Sequence, residues 1–146
     1  MNLYPKIYLN NVKEITYELL QENNIKGLIL DVDNTLIDYY KNMPEGVEQW
    51  CKDLQKRDIK FCIASNSNKR EKVKGVSEKL GIPYVFFAKK PLKMGLNKAK
   101  NIMGLKSEEV AVVGDQIFTD VLGANRCKMF SILVEPIKEK DILITI

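Results

Sequence analysis

The sequence predicts an α/β fold: a five-stranded parallel sheet, covered by helices on both faces in a three-layer α/β/α sandwich. Two observations carry this. Five short apolar or β-branched runs, at 28–30, 59–64, 84–87, 110–113 and 129–134, have the length and composition of strands buried on both faces. Stretches with apolar residues at helical spacing lie between them, and strand–helix–strand alternation with short joints makes neighbouring strands parallel.

The elements follow in order. Val12, Ile15, Leu19 and Leu20 form an apolar stripe that predicts a first helix at about 10–23, ahead of a core running from about 26 to 135. The first strand, 28–30, comes next. Pro44 suits a first helical turn, and Val47, Trp50, Cys51 and Leu54 then recur at helical spacing, which makes Trp50 a core residue. After the strand at 59–64, Val73, Val76 and Leu80 repeat the pattern, and Gly81 is placed to end that helix. Leu96, Ala99 and Ile102 do the same before Gly104, between the strands at 84–87 and 110–113. A last strand covers 129–134. With no repeat, linker or low-complexity tract, residues 1–146 read as one domain.

Composition narrows the function. Net charge is +4, from 23 basic and 19 acidic residues, which favours an anionic substrate but falls short of a nucleic-acid footprint. The chain has no histidine, so no imidazole can act as base, phosphate carrier or zinc ligand. Cys51, Cys62 and Cys127 are odd in number and lack C-x-x-C spacing, so they read as buried, reduced thiols of a cytosolic protein. No apolar run approaches the roughly 20 residues of a membrane span, and the start lacks a signal-peptide core.

In open parallel sheets the ligand site lies beyond the carboxyl ends of the strands. The residues just past the predicted strands are Asp31, Asp33 and Thr35; Ser65 and Asn66; Lys89, Lys90 and Pro91; and Gly114 and Asp115, with Asp120 close behind. Each group alone has a plainer reading as turn former, helix cap or solvated charge. Together they converge on one rim. Carboxylates gathered there need a counter-charge, and hard oxygen donors without histidine suit Mg²⁺. A metal-bearing acidic pocket faced by a lysine and a hydroxyl suits a phosphoryl group.

The ordered set DVDNTL, IASN, KKP and VVGDQIFTD resembles the four motifs of the haloacid-dehalogenase (HAD) superfamily of phosphohydrolases, over Lys26 to about Arg126. DVDNTL, PEGVEQW, the Lys-Pro pair and GDQIFTDVLGANR resemble its IIIA-type group of YqeG-like bacterial proteins and of phosphatidylglycerophosphate phosphatases from mitochondria and plastids. The resemblance implies a Rossmann-like fold and a Mg²⁺-dependent phosphomonoesterase. It implies Asp31 as nucleophile forming an aspartyl-phosphate and Asp33 as general acid and base. Mg²⁺ would be held by the Asp31 and Asp115 carboxylates and the Asp33 carbonyl, with Asp120 acting through water or by fixing Lys90. Ser65, the Asn66 amide and Lys90 would hold phosphate, with Lys89 a competitor for the lysine role, and Thr35 would steady the turn carrying Asp33. Arg126, in the GANR match, has a substrate role open beside a helix-dipole role, and Phe118 is expected to pack.

The gaps from Leu36 to Ile59 and from Ser65 to Lys90 are too short for an inserted cap domain. An open site suits a large substrate that shields the chemistry itself: a lipid head group, a polymer end or a phosphoprotein. Phosphatidylglycerophosphate is the leading specific candidate. Leu3, Tyr4, Lys6, Ile7 and Tyr8 have the mixed character of an interfacial segment, against the plainer reading that they pack on the sheet. The expected setting is cytoplasmic, at the membrane periphery if the substrate is a lipid. The expected partner is that phosphorylated substrate; nucleic acid is not expected, and a homo-oligomer is left open. The competing readings are a phosphatase for nucleic-acid ends or phosphoproteins, a receiver-like phospho-accepting signalling module, and a silent binding module.

Overall fold

The computed structural model describes residues 2–138; Met1 and residues 139–146 of the predicted domain lie outside the described residues. Among these, six parallel strands form one sheet: β1 (Ile7–Leu9), β2 (Gly27–Leu30), β3 (Lys60–Ala64), β4 (Tyr84–Val85), β5 (Val110–Gly114) and β6 (Phe130–Val134). Their spatial order is β1-β6-β5-β2-β3-β4, and every pairing is parallel. Five helices accompany them: α1 (Tyr17–Glu22), α2 (Val47–Lys56), α3 (Arg70–Leu80), α4 (Lys93–Met103) and α5 (Leu122–Arg126).

Successive strand residues point to opposite faces, so β5 alone feeds two cores. Ala111 and Val113 join Leu28, Leu30, Phe61 and Ile63 under α1, α2 and α3. Val110 and Val112 join Ile29, Cys62 and Ala64 under α4 and α5. The strands are therefore apolar on both faces, and the layers are helix, sheet, helix as expected.

The sheet has six strands where the sequence predicts five. The extra one, β1, is the edge strand beside β6, with Ile7 opposite Ile132 and Leu9 opposite Val134. Ile7 and Leu9 pack on the core while Tyr4 and Tyr8 are exposed, so this segment follows the plainer reading and is part of the sheet. Three residues are too few for alternation to announce a strand.

The predicted helix at 10–23 is a 3₁₀ turn (Val12–Glu14) followed by the shorter α1. Two caps interrupt it: Asn11 Oδ1 accepts from the Lys13 amide at 2.9 Å, and Thr16 Oγ1 accepts from the Leu19 amide at 3.1 Å. Pro44 precedes α2 instead of opening it, because Gly46 takes a left-handed φ of 89° and the helix starts at Val47. In α4 the inward stripe is Leu96, Ala99 and Met103, leaving Ile102 exposed. Gly81 and Gly104 end α3 and α4 in the left-handed conformation, as expected. The strand predicted at 84–87 stops at Val85; Phe86 and Phe87 turn out to solvent.

Trp50 packs edge-to-face on Phe61, and its indole N–H donates to the Ile15 carbonyl at 2.9 Å, so it is a partly buried border of the core. All three cysteines are buried and free, and burial pushes the Cys51 and Cys62 thiols up to about 12. They are inert packing groups.

Helix α4 meets the loop after β4 at Gly95, where an added Cβ would lie 2.4 Å from the Ala88 carbonyl oxygen. Gly95→Ala is expected to destabilise the fold by about 1–3 kcal/mol, read from urea unfolding. Gly75→Ala, on an open helix position, is expected to stabilise by up to about 1 kcal/mol.

Candidate active site

The chain moves from β2 outward to β3 and β4, then returns on the other side of β2 to β5 and β6. The gap between the carboxyl ends of β2 and β5 is thus a topological switch point, where such sheets open a crevice. Asp31 follows β2 and Asp115 follows β5 at that place, and the Asp31 amide still bonds the Val113 carbonyl at 3.0 Å. Beyond Asp31, the amides of Leu36 and Ile37 both donate to the Val32 carbonyl, and Asn34 sits at φ 61°. This tight turn buries Val32 and Leu36 and leaves the Asp33 carboxylate half-exposed beside the crevice.

Lys90 comes from the loop after β4, which is fastened to the loop after β3. The Lys90 amide donates to Asn66 Oδ1 at 2.7 Å, and Asn66 Nδ2 donates back to the Lys90 carbonyl at 2.9 Å. The Phe87 and Ala88 amides reach the Ser67 and Ser65 carbonyls. These bonds hold Phe87 and Lys89 at left-handed φ values of 52° and 59°, strain that loops tolerate where a site over-determines them. The Lys90 ammonium is thereby buried 3.2 Å from Asp31 and 2.6 Å from Asp120, whereas Lys89 is exposed and lies over the Phe87 ring.

Asp120 is carried by a wide π-type turn, Ile117–Val121. Its second oxygen accepts from the Gln116 amide at 3.3 Å, and it lies where a Cβ on residue 114 would stand, 2.0 Å away, so only glycine fits at Gly114. Thr35 Oγ1 donates to Asp115 at 3.4 Å, and Ser65 is fully buried with its Oγ accepting from the Ser67 amide.

The electrostatics are those of a site short of positive charge. Burial pushes the Asp31 carboxyl up to about 6, with Lys90 opposing and Asp120 adding to the rise. Burial, then repulsion from Asp31, pushes Asp115 up to about 6 as well. Burial works against the Lys90 charge, but Asp31 and Asp120 outweigh it and hold the ammonium above the usual lysine range. Carboxylate oxygens of Asp31, Asp115 and Asp120 lie within 4.8 Å of one another. All are hard donors, so the set fits a hard divalent cation. The protein already engages both Asp120 oxygens, which makes Asp31 and Asp115 the donors best able to face one.

The structure thus brings Asp31, Asp115, Asp120, Lys90 and Thr35 together, with Ser65 and Asn66 on the adjoining loops. Ser65 and Asn66 do not cap α3, whose helical turns begin at Arg70. Arg126 ends α5 next to the start of β6, at the opposite sheet edge, where it complements the helix dipole. Phe118 does not pack as expected: it is 65% exposed, pushed outward by the turn that draws Asp120 inward.

One residue was missed. Lys72 Nζ reaches both Asp33 oxygens, at 2.7 and 2.9 Å, with its own side chain largely buried. A signal was present: Lys72 sits in the first turn of α3, where the helix dipole disfavours a cation, so a nearby anion was called for.

A family model described as mitochondrial PGP phosphatase matches residues 1–138. The Bacillus subtilis (strain 168) protein named "Probable phosphatase YqeG" is 42% identical over 142 residues, covering 97% of this chain and 82% of that one. The chloroplastic/mitochondrial phosphatidylglycerophosphate phosphatase 1 of Arabidopsis thaliana is 26% identical over 149 residues, covering 94% of this chain and 42% of that one. Among solved structures, a Legionella pneumophila protein described as a HAD superfamily (subfamily III A) hydrolase is 29% identical with a TM-score of 0.51, over 67% of this chain and 59% of that one. An uncharacterized Listeria monocytogenes protein shares the fold at a TM-score of 0.64 and 18% identity, over 79% and 83% of the two chains.

The raised acids fix a sign. A carboxyl whose folded pKa exceeds its unfolded value binds more protons when folded, so stability falls as pH rises between the two. For Asp115 that window runs from 3.8 to about 6. In EDTA at pH 7.5, Asp115→Asn is expected to raise the melting temperature by several degrees, and at pH 4.5, near the lower end of that window, the gain should shrink to about a third. Calorimetry at the two pH values checks it.

Proposed function

Given that the chain belongs to the mitochondrial PGP phosphatase family and is a phosphatase of the HAD type, we propose that it hydrolyses phosphomonoesters through an aspartyl-phosphate on Asp31. The carrying observation is the juxtaposition at the switch point: a buried lysine between two aspartates, with a half-exposed third, Asp33, two residues from Asp31. A receiver-like module would lack that neighbouring acid.

The Asp31 carboxylate attacks phosphorus and forms an O–P bond. As the ester bond breaks, Asp33 gives its proton to the departing oxygen. Asp33 then takes a proton from water, the hydroxyl attacks the acyl-phosphate, and inorganic phosphate leaves with Asp31 restored. Lys90 offsets the charge that spreads over the phosphoryl oxygens, and the Ser65 hydroxyl and Asn66 amide donate to them. Mg²⁺ held by Asp31, Asp115 and the Asp33 carbonyl would offset charge between nucleophile and phosphate. A cobalt-bound phosphatase from Haemophilus influenzae, similar at a TM-score of 0.53 over 64% of this chain, supports the fold alone at 22% identity.

The loops around the crevice support a lipid substrate. Tyr39, Tyr40, Phe86, Phe87, Ile117 and Phe118 are exposed there, on three separate segments. Lys41, Lys69, Lys89 and Lys93 are exposed on the same rim. Aromatic groups mixed with lysines suit the headgroup region of an anionic bilayer. Among the described residues no helix is long and apolar enough to cross a membrane, so contact would be peripheral. Phosphatidylglycerophosphate, the substrate in the Arabidopsis relative's name, is the reading that this rim favours.

The test is phosphate release from phosphatidylglycerophosphate, sugar phosphates, nucleotides and a phosphopeptide. Release is expected to stop in EDTA, return with Mg²⁺ and be fastest on the lipid. Asp31→Asn is expected to lower turnover on the order of 10⁴-fold or more while melting as a folded protein. Near-normal turnover by that folded variant would sink the covalent route.

A further inference from the structure

A second concavity adjoins the crevice. A groove of about 360 Å³ runs between the turn after β2 and the outer side of α3. Ile37, Met43 and Val76 give it an apolar lining, and Lys41, Lys72, Lys79 and Glu71 complete it; with the Lys72 ammonium held by Asp33, Lys41 and Lys79 stand against the single carboxylate of Glu71. Gly75 lies on the same wall, where an added Cβ would meet nothing within 4 Å. The volume is in the range of small-molecule sites.

Two bonds locate the groove relative to the chemistry. Lys72, which lines it, donates to both Asp33 oxygens, and Ile37, which also lines it, forms a bridge with Asp33. A general acid sits on the side from which the leaving oxygen departs. The rest of the leaving group therefore extends toward Asp33, and the groove is the concavity on that side. Its charge and lining then describe the leaving group. The nearby Glu48 is already engaged by Lys52 at 2.6 Å and Lys72 by Asp33 at 2.7 Å, so Lys41 and Lys79 are left to an incoming anion. The apolar lining requires that anion to carry hydrocarbon.

We propose that the groove between the β2 turn and α3 seats the leaving group, and that this group is an anionic amphiphile: a second acidic group held by Lys41 and Lys79, with hydrocarbon against Ile37, Met43 and Val76. The assignment as a leaving-group seat rests on the phosphatase reading; the binding of an anionic amphiphile there does not. A neutral sugar or alcohol would waste the lysines, and an oligonucleotide would waste the apolar lining.

Two arms test it. In the first, kcat/KM is measured for a short-chain phosphatidylglycerophosphate and for p-nitrophenyl phosphate, in the wild type, Gly75→Phe and Lys79→Glu. The ratio of the two values is expected to fall at least about tenfold in each variant, which corresponds to about 1.4 kcal/mol of discrimination; parallel changes on both substrates overturn the proposal. In the second, the Asp31→Asn protein is titrated with dihexanoyl phosphatidylglycerol while backbone amide shifts are followed by NMR. Shifts are expected at 37–43 and 72–79, weaker with dihexanoyl phosphatidylcholine. Unmoved groove amides, or equal binding of a short oligonucleotide there, overturn it. Turnover of both substrates with unmoved amides removes the groove and leaves the phosphatase. Shifts in the groove with no turnover of any substrate do the reverse.

Discussion

The Lys90 ammonium lies between the carboxylates of Asp31 and Asp120, with almost no solvent contact, and the site is assembled around that triad. Removing Lys90 would leave two carboxylates unmatched, which costs several kcal/mol, whereas the intact set contributes little net stability. Such a triad therefore does more to fix geometry than to hold the fold. It ties the end of β2, the loop before α4 and the turn after β5 to one point. Those three segments are far apart in the chain, and no local preference would bring them together.

The scaffold makes that point precise. Strands buried on both faces hold β2 and β5 in fixed register, with Leu30 opposite Val113, so Asp31 and Asp115 leave the sheet side by side. The reciprocal Asn66–Lys90 bonds then carry the rigidity of β3 into the neighbouring loop. What remains free to respond lies outside: the half-exposed Asp33 with its Lys72 partner, and the aromatic rim.

The β-branched runs made the central strands and their direction legible in the sequence, because burial on both faces demands unbroken apolar composition. Asp31, Lys90, Asp115 and Asp120 were legible because each stands just past such a run. The edge strand was not, since three residues half-covered on one side show no distinctive periodicity. Asn11 and Thr16 mark caps, yet the apolar stripe from Val12 to Leu20 runs through Thr16 and hides the break. Lys72 was not legible from the strand ends because it comes from a helix, and its partner is set by how α3 abuts the sheet. Phe118 was misjudged for a related reason: a π-type turn shifts the phase of every following side chain, and composition carries no mark of it.

That same turn joins two tasks. Phe118 faces solvent and Asp120 is sealed inside, yet they are only two residues apart on one five-residue loop of backbone. The surface that greets an arriving molecule and the anchor that steadies the buried cation are therefore mechanically one piece. A substitution that reshaped this turn would disturb the exposed rim and the buried anchor at once.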